Sequence, residues 1–357
     1  MKKIAIFTDN LKVGGIQKSV KNLTERLGDK YEIDLYLFDE DNFYELPKNI
    51  NVIYNKKPSK IIKFIPFEIA KRILKIDVLK KEYDLSIDFD SYQMHTAVGA
   101  LSCNSKKKVI WIHNDIVIKL KEEIKYKILY FFFKKKYDYF DAYCAVSKGA
   151  LDSFMSLKYD DNKEYAVIPN YIDTEEIKSL INEPCDLVVD SHKVNIVSVG
   201  RLCHQKGYDL MIQEIAQLKK LREDFHLYII GDGPLKDYYK EMVAENELSD
   251  YITFLGNQKN PFKFLNKMDL FYLSSRYEGQ GMVILEAQAC GLDTLIPSRL
   301  EKYCSNVKGV DNTLEFLKNY QKKKTEKKLE DLKDYNDKIT EKLNNLISVG
   351  RGKSNEK

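Results

Sequence analysis

The sequence predicts an α/β protein of two doubly wound, Rossmann-like domains facing a central cleft. Three observations predict it. Short apolar, β-branched runs alternate with helix-patterned segments through the first half, and this alternation restarts near Val194. Between the two series lies the polar, Pro-containing stretch Asn182–Lys193. At 357 residues the chain is long enough to bury two cores of ordinary size.

In the first series Ile4–Thr8 is an apolar run ending in polar residues, which reads as a strand. A Gly-Gly turn follows, then helix from about Ile16 to Leu27. Ile33–Phe38, Leu85–Phe89, Val109–His113, Ala142–Val146 and Tyr165–Ile168 read as further strands with helices between them. The second series opens with Val194–Val199, then a helix from about Tyr208 to Leu221. His226–Ile230 ends in Gly-Asp-Gly-Pro and leads into a helix from about Leu235 to Asn246. Ile252–Leu255, Leu270–Leu273 and Thr294–Pro297 complete the set. The first domain is placed at 1–183 and the second at 184–320. From Lys318 the chain becomes strongly charged, with Leu329, Leu332, Ile339, Leu343 and Leu346 at helical spacing. That predicts one amphipathic helix within 321–350 and a frayed polar tail at 351–357.

Composition narrows the class. With 44% hydrophobic and 31% charged residues the chain reads as globular rather than disordered. The first apolar run is too short for a signal peptide, and no uninterrupted apolar stretch reaches the ~20 residues that span a bilayer. Six cysteines carry no C-x-x-C pair and no histidine at metal spacing, so reduced thiols in a cytoplasmic protein are expected. The net charge is only +4, but nine basic residues fall between Lys56 and Lys81 against Glu68 and Asp77. Apolar residues interleave them, and 126–140 repeats the basic–aromatic mix. An anionic membrane surface is the partner this suits, although a wet face on a core helix would look similar. Nucleic acid is not expected, since few of these charges are Arg and no nucleic-acid motif accompanies them.

The chemistry-bearing positions lie at strand ends. Glu278 and Glu286 flank a small, Gly-broken loop that runs into a helix, so backbone amides at Gly281, Met282 and Val283 would offer an anion site. Two carboxylates beside such a site suit the hydroxyls of a sugar nucleotide, although two solvated acids would give the same spacing. Gly14 and Gly15 follow the first strand and would let backbone approach a phosphate, unless they make a plain tight turn. Arg201 and Lys206 follow the first strand of the second domain, where two cations could clamp a diphosphate. Gly231 and Gly233 turn the chain after the next strand, and His113 stands alone at the end of a first-domain strand.

Together these strings resemble the family-4 retaining glycosyltransferases of the GT-B fold, of the bacterial cell-surface polysaccharide type. The resemblance rests on the early Gly-Gly turn, V-I-P-N-Y-I-D at 167–173, G-R-L-x-x-x-K-G, G-D-G-P, F-L-G and Y-E-G-Q-G…E-A-Q-A-C-G-L. It implies a C-terminal helix that crosses back to the first domain. It implies transfer of a hexose or N-acetylhexosamine, with retention, from a nucleotide diphosphate sugar, UDP by default. The acceptor would be a lipid-linked saccharide or polysaccharide at the inner face of the membrane, and neither metal nor cofactor is expected. Arg201 and Lys206 would neutralise the departing diphosphate. Glu286 would bind ribose, Glu278 the donor sugar, and His113 would sit near the anomeric carbon. Gly15 would let the first domain touch the phosphates.

Two departures bear on the donor site. Gln17 and Gln280 stand where the family often has Glu and an aromatic. Rival readings are weaker. Asp88-Phe89-Asp90 would be the D-x-D of a metal-dependent transferase. A nicotinamide enzyme would need G-x-G-x-x-G, which Gly14-Gly15 does not supply. A catalytically inactive GT-B accessory subunit would be expected to lose the cations or the Glu pair, and all four residues are present.

Overall fold

The computed structural model describes residues 1–348 apart from 13, 161 and 323–328. The tail expected at 351–357, part of the expected 321–350 helix, and Val13 beside the Gly-Gly turn lie outside the described residues. Contacts divide the chain into two compact units, one of Met1–Tyr171 with the residues from Asn336 on, the other of Ile172–Tyr335.

In the first unit seven parallel strands form one sheet. They are β1 (Lys3–Phe7), β2 (Glu32–Leu37), β3 (Asn51–Tyr54), β4 (Tyr83–Asp88), β5 (Ser105–Ile112), β6 (Ala142–Ala145) and β7 (Glu164–Val167). Their order is β3-β2-β1-β4-β5-β6-β7. Ile4 registers with Ile33 on one side and Leu85 on the other. Helices cover both faces, so central strands carry apolar residues at every position rather than alternately. Ile4, Ala5, Ile6 and Phe7 have no exposed surface. The strand β3, N-V-I-Y, is an expectation the sequence reading lacked; it is a short, half-exposed edge strand.

The second unit repeats the plan with five parallel strands: β8 (Val194–Val199), β9 (Phe225–Ile230), β10 (Ile252–Gly256), β11 (Leu270–Tyr272) and β12 (Asp293–Leu295). Their order is β10-β9-β8-β11-β12. The helix Thr174–Leu180 groups with this unit because Asn260 and Asn266 donate to its carbonyl end, at Leu180 O (2.8 Å) and Ile181 O (3.3 Å). The contact division therefore falls ahead of the polar stretch at Asn182–Lys193.

Each sheet reverses its winding once, between β1 and β4 and between β8 and β11. In open α/β sheets the carboxyl edge at such a switch point is where ligands bind. The helix Leu329–Ser348 closes the chain, and its residues from Asn336 on belong to the first unit. There Tyr171 OH meets Thr340 Oγ1 at 3.2 Å, and Lys107 Nζ donates to Leu346 O at 2.9 Å.

Candidate functional site

At the switch point of the second unit, the loops after β8 and β11 are joined by hydrogen bonds. Arg276 N donates to Gln205 O at 2.8 Å, and Gln205 Nε2 donates to Tyr277 O at 3.1 Å. Ser274 Oγ bonds the carbonyls of Lys206 and Gly207. Two glycines permit this closeness. Gly207 has φ +64°, and a Cβ on it would lie 2.6 Å from Ser274 O. Gly231 has φ +142°, and a Cβ there would lie 2.0 Å from Gly200 O. Gly231 and Gly233 thus pack the β9 turn against the β8 loop, as Leu202 N donating to Asp232 O at 3.0 Å also shows.

The predicted cations differ in setting. The Arg201 side chain is exposed and makes no hydrogen bond to the described residues. Lys206 is not on a solvated loop. Its Nζ lies 2.6 Å from Glu278 Oε1, with side-chain exposures of 18% and 7%. Ser275 Oγ donates to the same carboxylate oxygen at 2.6 Å. Glu278 is therefore a buried, partnered carboxylate rather than a solvated acid.

Beyond Glu278 the helix Met282–Ala289 begins, and half-buried Glu286 lies on it. The mouth of this helix is more occupied than its sequence implies. Gly281 N donates to Tyr303 O at 3.2 Å and Met282 N to Gln280 O at 2.8 Å. The expectation that the amides here are unpaired is corrected for these two: the carbonyl end of the turn Ser298–Tyr303 meets Gly281 N, and the loop's own Gln280 carbonyl takes Met282 N. Val283 follows in the first helical turn. Gln280 donates from Nε2 to Tyr335 OH at 2.6 Å.

In the first unit, Gly14 precedes the helix Gly15–Leu27, which has no side-chain cap and no acid in its first turn. A Cβ added to Gly15 would meet nothing within 4 Å, so the backbone there is open to a close neighbour. His113 follows β5 and is buried, its ring 4.7 Å from that of Phe89. Burial pushes its pKa down to about 3, although a hydrogen bond with the Phe89 backbone opposes this. The imidazole is neutral, and its Nε2 is buried without a partner.

The same edge holds groups that the sequence did not single out. Asp9, just past β1, is buried with Oδ1 2.8 Å from His95 Nε2. Its Oδ2 accepts from Lys57 Nζ at 2.6 Å. Burial pushes the Asp9 carboxyl up, but these two partners prevail and hold it well below the usual carboxylate range. A polar T-D-N at a strand end was the available signal for Asp9; His95 sits inside a helix with none. Asp88 is fully buried 3.7 Å from an equally buried Lys136, and Asp90 is buried too. The D-x-D reading therefore loses its reach to a diphosphate. Among the described residues no cluster of three or more His, Cys, Asp or Glu could hold a metal ion.

Two family models match the chain, "Glycosyltransferase Family 4" over residues 13–176 and "Glycosyl transferases group 1" over residues 182–351. An uncharacterized glycosyltransferase of Methanocaldococcus jannaschii is 29% identical over 270 residues, 70% of this chain and 64% of that protein. The second relative is from Campylobacter jejuni: an N-acetylgalactosamine-N,N'-diacetylbacillosaminyl-diphospho-undecaprenol 4-alpha-N-acetylgalactosaminyltransferase. It is 28% identical over 297 residues, 81% of this chain and 79% of that protein. The chain belongs to the GT-B glycosyltransferase superfamily. Among solved GT-B structures, HepE of Anabaena in complex with UDP and glucose superposes with a TM-score of 0.65 at 16% identity. The match covers 97% of this chain and 100% of that one. Arg201 and Lys206 follow β8, and Glu278 and Glu286 follow β11, the two strands that flank the switch point of the second unit.

Proposed function

We propose that this chain moves a hexose or N-acetylhexosamine from a UDP-sugar to a lipid-linked saccharide, retaining the anomeric configuration and using no divalent metal. The observation that carries the reading is the cation–carboxylate pair Lys206–Glu278 beside unpartnered Arg201, at the switch point where open α/β sheets bind ligands. A diphosphate arriving there meets two cations. As the bond to the sugar breaks, charge grows on the phosphate, and Arg201 and Lys206 neutralise it in place. Engaging Lys206 frees a Glu278 oxygen for a hydroxyl of the sugar, while Glu286 takes the ribose. Within the first unit, Gly15 leaves its backbone open to an anion, and neutral His113 can exchange a hydrogen bond without carrying charge. In a same-face displacement the leaving phosphate accepts the acceptor's proton, so no protein base is required.

The UDP donor is supported by the UDP and glucose bound to HepE, and the lipid-linked acceptor by the undecaprenol substrate in the Campylobacter relative's name. Such an acceptor places the enzyme at the inner face of a membrane. No helix among the described residues is long and apolar enough to cross one. The test is UDP release by purified protein across a panel of UDP-sugars, with undecaprenyl-diphosphate saccharides as acceptors and the anomer of the product read by NMR. Release from one donor supports the reading; no release from any donor under any acceptor favours an inactive accessory subunit.

A further inference from the structure

The basic–aromatic segments near 56–81 and 126–140 divide in the fold. Part is core: Phe133, Tyr137, Phe140 and Lys136 are buried. What remains outside is unusual. The turn Lys60–Phe64, the helices Phe67–Ile73 and Ile124–Phe133, and the turn Lys134–Tyr139 pack on one another. Phe64 meets Phe132 edge to face at 6.1 Å, and Phe67 lies 5.8 Å from Tyr139. From this joined region Ile124 (76% exposed), Ile61 (69%), Phe131 (66%), Ile128 (51%) and Phe64 (48%) project into solvent. In the second unit exposed large apolar residues such as Val188, Leu210, Leu221 and Tyr238 are scattered singly along the sequence. A cluster of this kind marks an interaction surface.

Charge says what covers it. The four elements carry nine basic residues, of which only Lys136 is buried, against Glu68 and Asp138. Cations lie beside the apolar side chains: Lys71 Nζ is 3.6 Å from the Tyr139 ring centroid, Lys63 5.2 Å from that of Phe64 and Lys134 5.6 Å from that of Phe131. Ammonium groups set over aromatic rings, beside exposed apolar side chains and with few acids among them, match a boundary between acyl chains and anionic headgroups. A second copy of the chain would set like charge against like.

We propose that this surface docks the protein on an anionic lipid bilayer, with Ile61, Phe64, Ile124, Ile128 and Phe131 entering the acyl boundary and the lysines meeting the headgroups. The proposal rests on the transferase reading above only for its purpose, access to a lipid-linked acceptor. Because the contact is apolar as well as ionic, part of the binding survives high salt.

The test uses the whole protein with vesicles of phosphatidylcholine, alone or mixed with phosphatidylglycerol. The expected result is sedimentation with the mixed vesicles, little with phosphatidylcholine alone, and a measurable bound fraction remaining at about 1 M salt, where the screening length is about 3 Å. Ile124→Ser with Phe131→Ser weakens partition roughly tenfold or more, the scale for losing two inserted side chains. Phe131→Trp reports insertion directly, because the native Trp111 is buried; its emission shifts to the blue only when mixed vesicles are added. Unchanged partition of the double variant overturns the proposal. So does a blue shift that grows with protein concentration in the absence of lipid, which would make the surface a contact between copies. UDP release measured without vesicles is expected to be the same in the double variant and the parent. Loss of release in the parent strikes the transferase reading alone, since the vesicle result decides docking by itself.

Discussion

Lys206 Nζ lies 2.6 Å from Glu278 Oε1, and Ser275 Oγ donates to that same oxygen at 2.6 Å. The two charged groups are 72 positions apart in sequence and belong to loops of neighbouring strands at a switch point. Each is needed for a different part of the proposed donor, yet without donor each satisfies the other. The pair keeps a nearly buried carboxylate from standing uncompensated, which would be costly.

This separates the two cations experimentally. Arg201→Ala and Lys206→Ala are both expected to lose roughly 10²-fold in turnover, the scale for one preorganised charge contact. Only Lys206→Ala also loses stability, by about 1–3 kcal/mol, because it strands Glu278. Urea unfolding of both variants checks this. Equal midpoints would mean that the Lys206–Glu278 contact contributes nothing to the fold.

His113 gives a pH signature. Its folded pKa of about 3 lies below its ordinary 6.5, so below pH 6.5 the unfolded chain takes up a proton that the folded chain refuses. The stability tied to this group is intact above 6.5 and falls as pH drops toward 3. By pH 5 the loss is about 2 kcal/mol. Urea midpoints of parent and His113→Gln at pH 7.5 and pH 5 should therefore converge toward acid. An unaltered difference between them would assign the acid sensitivity to other groups.

Gln280 and Tyr335 test whether the loop between Glu278 and Gly281 is held from outside. Tyr335→Phe removes the phenol that accepts from Gln280 Nε2. The expected cost is about 1 kcal/mol of stability, with a several-fold rise in donor KM and little change in kcat. A fall in kcat at unchanged KM would show that the phenol acts on the reacting groups instead of positioning the loop.

Metal dependence is a direct check on the role given to Arg201 and Lys206. Turnover should persist in EDTA. Complete loss, restored by Mn²⁺, would move the neutralising role to a metal and require ligands other than the buried Asp88 and Asp90.

Much of the fold was readable because strands covered on both faces must be apolar throughout. Ile4–Phe7 and Val194–Val199 stand out for that reason, and the second coincides with the observed strand. β3 escaped notice because N-V-I-Y at a sheet edge needs no such run. The candidate site was readable as positions, since strand ends are where loops gather, but not as pairings. Nothing local to Lys206 tells which acid it meets, and nothing in Lys134-Lys135-Lys136 tells that only the last turns inward. His95 opposite Asp9 is likewise a tertiary fact, made by a helix and a strand end brought together by the sheet.

The division of the chain has a consequence for its biosynthesis. The first unit takes its sheet from residues before Tyr171 but also needs the helix from Asn336 onward, where Leu343 and Leu346 are buried. On the ribosome the first unit is the earliest to emerge and yet cannot be completed until the whole second unit has been translated. Its sheet must wait, with the surface later covered by that helix still open, while the second unit has everything it needs in one continuous stretch.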